Sequence, residues 1–144
     1  MDAMAPGGIQ VARFSGDRCR EIEAALITGG YLAGKPSKLE LQYPNGGVWH
    51  VRTNTDRAVI AVSARPAANS QWVLTIRAEA PVRPRVVYRN PPSESQLRQF
   101  DQLCYEVALV IQEALCPLCP ELQWEAETGE GTLKVSRAPI PPGS

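Results

Sequence analysis

The stretch SESQLRQFDQLCYEVALVIQEAL, residues 93–115, decides the fold class. Leu97, Phe100, Leu103, Cys104, Val107, Val110, Ile111, Ala114 and Leu115 recur at three- and four-residue intervals, the period of a helix with one buried stripe. Ser93 and Gln96 make a capping box, and Pro91-Pro92 keeps earlier residues out of the helix. One long amphipathic helix is therefore predicted, and it needs an apolar surface to cover.

The flanking segments supply that surface as strands. Residues 38–43 alternate, with Leu39, Leu41 and Tyr43 on one side, before Pro44-Asn45-Gly46-Gly47 turns the chain into residues 48–53, a hairpin pattern. A second hairpin is predicted from residues 58–64 and 71–79, and residues 82–89 form a further edge strand, since Pro84 cannot donate to a central ladder. After the long helix, residues 122–127 and 132–137 are joined through Gly129-Glu130-Gly131 as a third hairpin. Upstream, Ser15 reads as the N-cap of a shorter helix over 16–28, with Cys19, Ile22, Ala25 and Leu26 on its buried side and Gly29-Gly30 as its stop. Sequential hairpins give antiparallel pairing, so the expected class is α+β: a sheet of about six strands with two helices packed on one face, in the order helix, four or five strands, helix, hairpin.

With 144 residues, 44% apolar and 21% charged, the chain has the composition of one ordinary globular domain, expected over residues 9–137. Residues 1–8 and the proline-rich 138–144 are expected to be flexible. The longest nearly apolar run, 107–115, falls well short of the ~20 residues a membrane helix needs. Residues 1–8 also lack the basic and apolar regions of a secretory signal, so a cytoplasmic location away from any membrane is expected. Fifteen Lys and Arg balance fifteen Asp and Glu, which disfavours nucleic acid as a partner, although residues 1–90 are net +5 and residues 91–144 net −5.

No catalytic constellation stands out. His50 is the only histidine, and no G-x-S-x-G elbow accompanies it. Cys116 and Cys119 form a C-x-x-C pair, which supplies only two of four zinc ligands and follows a helix instead of opening one, so structural thiols are expected and no metal or cofactor. Trp49, Trp72 and Trp124 each lie in a predicted strand and read as core. Arg83, Arg85 and Arg89 read as charges guarding an edge strand, and Glu121, Glu125, Glu127 and Glu130 as a solvated acidic edge.

The informative feature is the sheet face turned away from the helices. If Trp72, Leu74, Ile76 and Ala78 point inward with Ala58, Ile60, Val62 and Ala64, then Val59, Ala61, Ser63, Val73, Thr75 and Arg77 point outward. That outward face is half apolar, where a purely solvated face would carry more charge. His50 and Arg52 share one face of the 48–53 strand with Val48. Val59, Ala61, Val73, Thr75, Arg77, His50 and Arg52 are therefore the candidate binding residues of a non-enzymatic protein-binding or adaptor domain that holds a protein partner or its own copy as a homodimer. The element order is loosely similar to that of small bacterial secretion-chaperone and immunity-type domains, a likeness of architecture without a shared motif. The alternative is a small-molecule binder or enzyme with a pocket between the sheet and the 93–115 helix and His50 in reach. A third possibility is a zinc or thiol protein using Cys116 and Cys119.

Overall fold

The computed structural model describes residues 9–32, 46–52, 59–79, 94–127 and 131–142. In chain order the elements are β1 (Gln10–Ser15), α1 (Cys19–Thr28), β2 (Gly47–Arg52), β3 (Val59–Pro66), β4 (Gln71–Glu79), α2 (Glu94–Leu115), β5 (Gln123–Glu127) and β6 (Leu133–Ser136). The strands form one antiparallel six-stranded sheet in the order β2-β3-β4-β1-β5-β6. Both helices pack over the same face, so the α+β class expected from the hairpin pattern is the fold of the protein.

The 3.6-residue stripe of α2 is what the sheet buries. Phe100, Cys104, Val107, Ala108, Ile111 and Leu115 are buried, with Leu103 and Val110 at the margin. They meet Ile60, Val62, Ala64, Leu74 and Ile76, each fully buried and each on the inward parity of β3 or β4. Fully burying one such aliphatic side chain is worth about 1.5–3 kcal/mol, so this layer dominates the fold.

The element missed by pattern reading is β1. Gln10, Ala12 and Phe14 point toward the helices, and the strand sits in the middle of the sheet between β4 and β5. Ser15 is consequently the last residue of a strand, not a helix cap, and Gly16 turns the chain at a φ of +85°. The Asp17 carboxylate takes the amide of Cys19 at 2.9 Å, which starts α1 three residues later than expected. At the other end Gly30 N–H bonds Ile27 C=O at 3.1 Å and Tyr31 N–H bonds Leu26 C=O at 2.9 Å, with Gly30 at φ +82°: a Schellman stop, as the Gly-Gly pair predicts.

The β3–β4 hairpin and the β5–β6 hairpin form as expected. Predicted strands 38–43 and 82–89, with Arg83, Arg85 and Arg89, lie outside the described residues. One boundary needs correction. The chain does not come loose at Ala138, because Pro139 and Ile140 are buried. The Gln10 carboxamide accepts from Ile140 N–H at 3.2 Å and donates to Ile140 C=O at 2.6 Å. Proline cannot enter a ladder, but here it leaves the next residue's backbone to a buried side chain instead.

Candidate functional site

Strand parity fixes which residues share the face away from the helices. Cross-strand rows run His50–Ala61–Arg77 and Val48–Ser63–Thr75 over β2, β3 and β4, and Arg65 stands opposite Val73. The second row continues onto β1 and β5 as Val11 and Glu125, and the third onto β1 as Arg13. Val48, His50, Ala61, Ser63, Arg65, Val73, Thr75 and Arg77 line a concavity of about 480 Å³. Of the residues expected to form a binding face, His50, Ala61, Val73, Thr75 and Arg77 thus come together. Arg52 and Val59 are paired with each other one row further along, and their side chains lie outside the description. Arg65 belongs to the same concavity and was not singled out from sequence, because the predicted strand stops at residue 64 whereas β3 continues to Pro66.

The floor is small and mixed. Ala61, only 8% exposed, sits between His50 and Arg77, while the hydroxyls of Ser63 and Thr75 stand in the next row. The rim is cationic, with Arg65 and Arg77 exposed and no carboxylate among the lining residues. On the same face, the Arg13 guanidinium donates to Glu125 at 2.9 Å. Glu121 is likewise engaged, accepting the Ser15 amide at 3.1 Å, which with its own backbone amide holds its carboxyl below the usual range. So two of the four glutamates expected as a solvated acidic edge fasten β5 and its approach to β1.

Chemically this surface offers guanidinium donors, hydroxyls and a shallow apolar floor. The residue facing His50 across the strands is Ala61, and Ser63 faces Val48, so the pairing sets no hydroxyl opposite the imidazole. His50 lies on the face opposite α2, out of reach of any pocket between the sheet and that helix. That interface is filled by Val107, Ala108, Ile111, Ile60, Val62 and Ile76, all fully buried. A second cavity, an open groove of about 580 Å³, lies between α1 and α2 and includes Ala24, Ala25, Thr28, Gly29, Val110 and Ala114.

Trp49 and Trp124 are buried in the core, and Trp72 packs half-buried against it. Trp49 Nε1–H donates to the buried Glu23 carboxylate at 2.8 Å, which ties β2 to α1. The cysteines are free: Cys116 exposed, Cys19, Cys104 and Cys119 buried. Among the described residues no three potential ligands gather around a metal position. Burial pushes the Cys19 and Cys104 thiols up to about 12; it also raises Cys119, against the opposing pull of the Arg18 guanidinium beside it. Because the thiolate is the reactive form, a disulfide reagent at pH 8 should titrate one thiol rapidly, Cys116, and the other three only after denaturation. A second fast equivalent from native protein would contradict this packing.

Among the described residues no helix is long and apolar enough to cross a membrane. Comparison of the chain with family models, curated proteins and solved structures finds no match.

Proposed function

We propose that this domain is a cytoplasmic, non-enzymatic protein-binding or adaptor module whose outer sheet face receives its partner. The observation that carries the reading is the concavity itself. Ordinary sheets solvate their second face with alternating charge, whereas here the centre of β3 and β4 presents Ala61, Ser63, Val73 and Thr75. These residues offer area for burial without large side chains to immobilise, and a specific interface needs about 800 Å² per partner. The partner is a protein chain or a second copy of this domain.

Val73 tests the reading because it is half-buried on the outer face between Arg65 and Arg13 and touches no helix-side layer. The Val73→Glu protein should keep the circular dichroism spectrum and melting behaviour of wild type, since its new carboxylate points to water. At an interface the same carboxylate must be desolvated, so association should weaken by about tenfold or more. Immobilised wild type should retain its partner, or further copies of itself, where the variant does not. Equal retention by both proteins removes this face from the interface, and an unfolded variant would put Val73 in the core.

A further inference from the structure

We propose that the groove between α1 and α2 is a second docking surface, separate from the sheet face, and that it receives an amphipathic helix of a partner protein with a basic side chain at one end of its apolar stripe. The floor is made of small and aliphatic side chains: Ala24 and Ala25 on α1, and Val110 and Ala114 on α2. Ala24 is exposed and Val110 and Ala114 are half-buried, so this apolar surface meets water instead of the core. Leu109, 40% exposed, carries it further along α2. The outer side of a surface helix is ordinarily polar, and a contiguous apolar groove there marks a contact site.

Charge sets the sign of the occupant. Tyr31, just past α1, lies by Glu106 partway along α2, whereas Arg18 and Glu21, at the start of α1, lie by Cys119, just past the end of α2. The two helices are therefore antiparallel, and Glu21 and Glu113 stand at the same end of the groove, one on each wall. Glu113 is exposed, and Glu21 keeps a long contact of 3.4 Å with Arg18, partly exposed and weak. Among the described residues the lining includes no Lys or Arg. A guanidinium seated between the two carboxylates bonds both, one through each side of its fork.

Spacing sets its shape. Glu21, Ala25 and Thr28 make one stripe on α1 at i, i+4 and i+7, about 10 Å long at the helical rise. A helix laid along the groove repeats that rise, so a basic residue at i places apolar residues at i+3, i+4 and i+7 over the floor. Other occupants fit worse. A nucleic acid backbone or an anionic lipid surface brings phosphates up to Glu21 and Glu113. A second copy docked groove to groove across a twofold axis sets the same carboxylates against their own counterparts. An apolar small molecule is better served by an enclosed cavity than by this open groove.

The test uses two fluorescein-labelled helical peptides, Ala-Gln-Arg-Ala-Gln-Leu-Leu-Gln-Ala-Leu-Gln-Ala-Gln-Ala and the same sequence with glutamate for arginine, titrated with the full chain and followed by anisotropy. The arginine peptide should bind at least about tenfold more tightly, with affinity falling as salt rises. Glu113→Lys should weaken it about tenfold or more while keeping the wild-type circular dichroism spectrum, since a cation suits the last turn of a helix. Glu94→Lys, the same charge change at the other end of α2, should leave binding within about twofold, and so should Val73→Glu on the sheet face. Equal binding of both peptides, or arginine-peptide binding indifferent to Glu113→Lys, overturns the proposal. So does binding lost in Val73→Glu and kept in Glu113→Lys, which assigns the peptide to the sheet face, and so does a wild-type dimer in sedimentation that Glu113→Lys breaks, which assigns the groove to a second copy. No binding by either peptide also overturns it, and leaves the sheet-face reading to its own test.

Discussion

Alanine in place of Trp124 should cost roughly 3–5 kcal/mol of stability, the largest loss expected from any single side chain here. Trp124 is the biggest fully buried residue, at the inner face of β5, and its indole N–H donates to Gln112 on α2 at 2.6 Å. Removing the ring empties the space between α2 and the β1–β5 pair and takes away the bond that orients the helix over it. Against total stabilities of about 5–15 kcal/mol for such domains, the variant should melt far below wild type or fail to fold at 37 °C. Urea denaturation followed by circular dichroism measures the loss, and a midpoint equal to wild type would mean that the β5–β6 hairpin does not pack as described.

Ending the chain after Arg137 should cost a comparable amount, roughly 2.5–6 kcal/mol, although it removes only a proline-rich tail. Ile140 is 6% exposed, and burial of such a side chain contributes about 1.5–3 kcal/mol. Without it, both ends of the Gln10 carboxamide lose their partners inside the fold, and an unsatisfied buried polar group costs about 1–3 kcal/mol. Chains ending after Pro142 and after Arg137 can be compared by thermal melting. Equal midpoints would show the tail to be loose in solution.

The helices and the two complete hairpins were legible because each is a local pattern. The stripe from Phe100 to Leu115 needs only its own period, and the inward set Leu74 and Ile76 needs only alternation. The same alternation sets Ala61, Val73, Thr75 and Arg77 on one face, whereas His50 joins them only through the pairing of β2 with β3. What alternation does not convey is which strands are neighbours. Gln10–Ser15 reads as a short run of mixed polarity next to a capping-type serine, and its partners are far away in sequence. The tail was misread for a related reason: proline content predicts the absence of ladder bonds, and says nothing of a glutamine 130 residues away that can replace them. Arg65 falls one residue past the predicted 58–64 strand, and it joins the face because β3 runs on to Pro66.

The central position of β1 also bears on how the domain assembles. Hairpins β3–β4 and β5–β6 can each close a short loop soon after their residues are made. The strand that joins them pairs Val11 with both Thr75 and Glu125, so β1 can join β4 as soon as residue 79 is made, while its other edge stays unpaired until β5 follows. During synthesis that open edge persists while α2 is being made. Such long-range pairing meets the entropy of closing a long loop before any contact rewards it, which places this small protein among slowly folding topologies in spite of its long, locally stable helix.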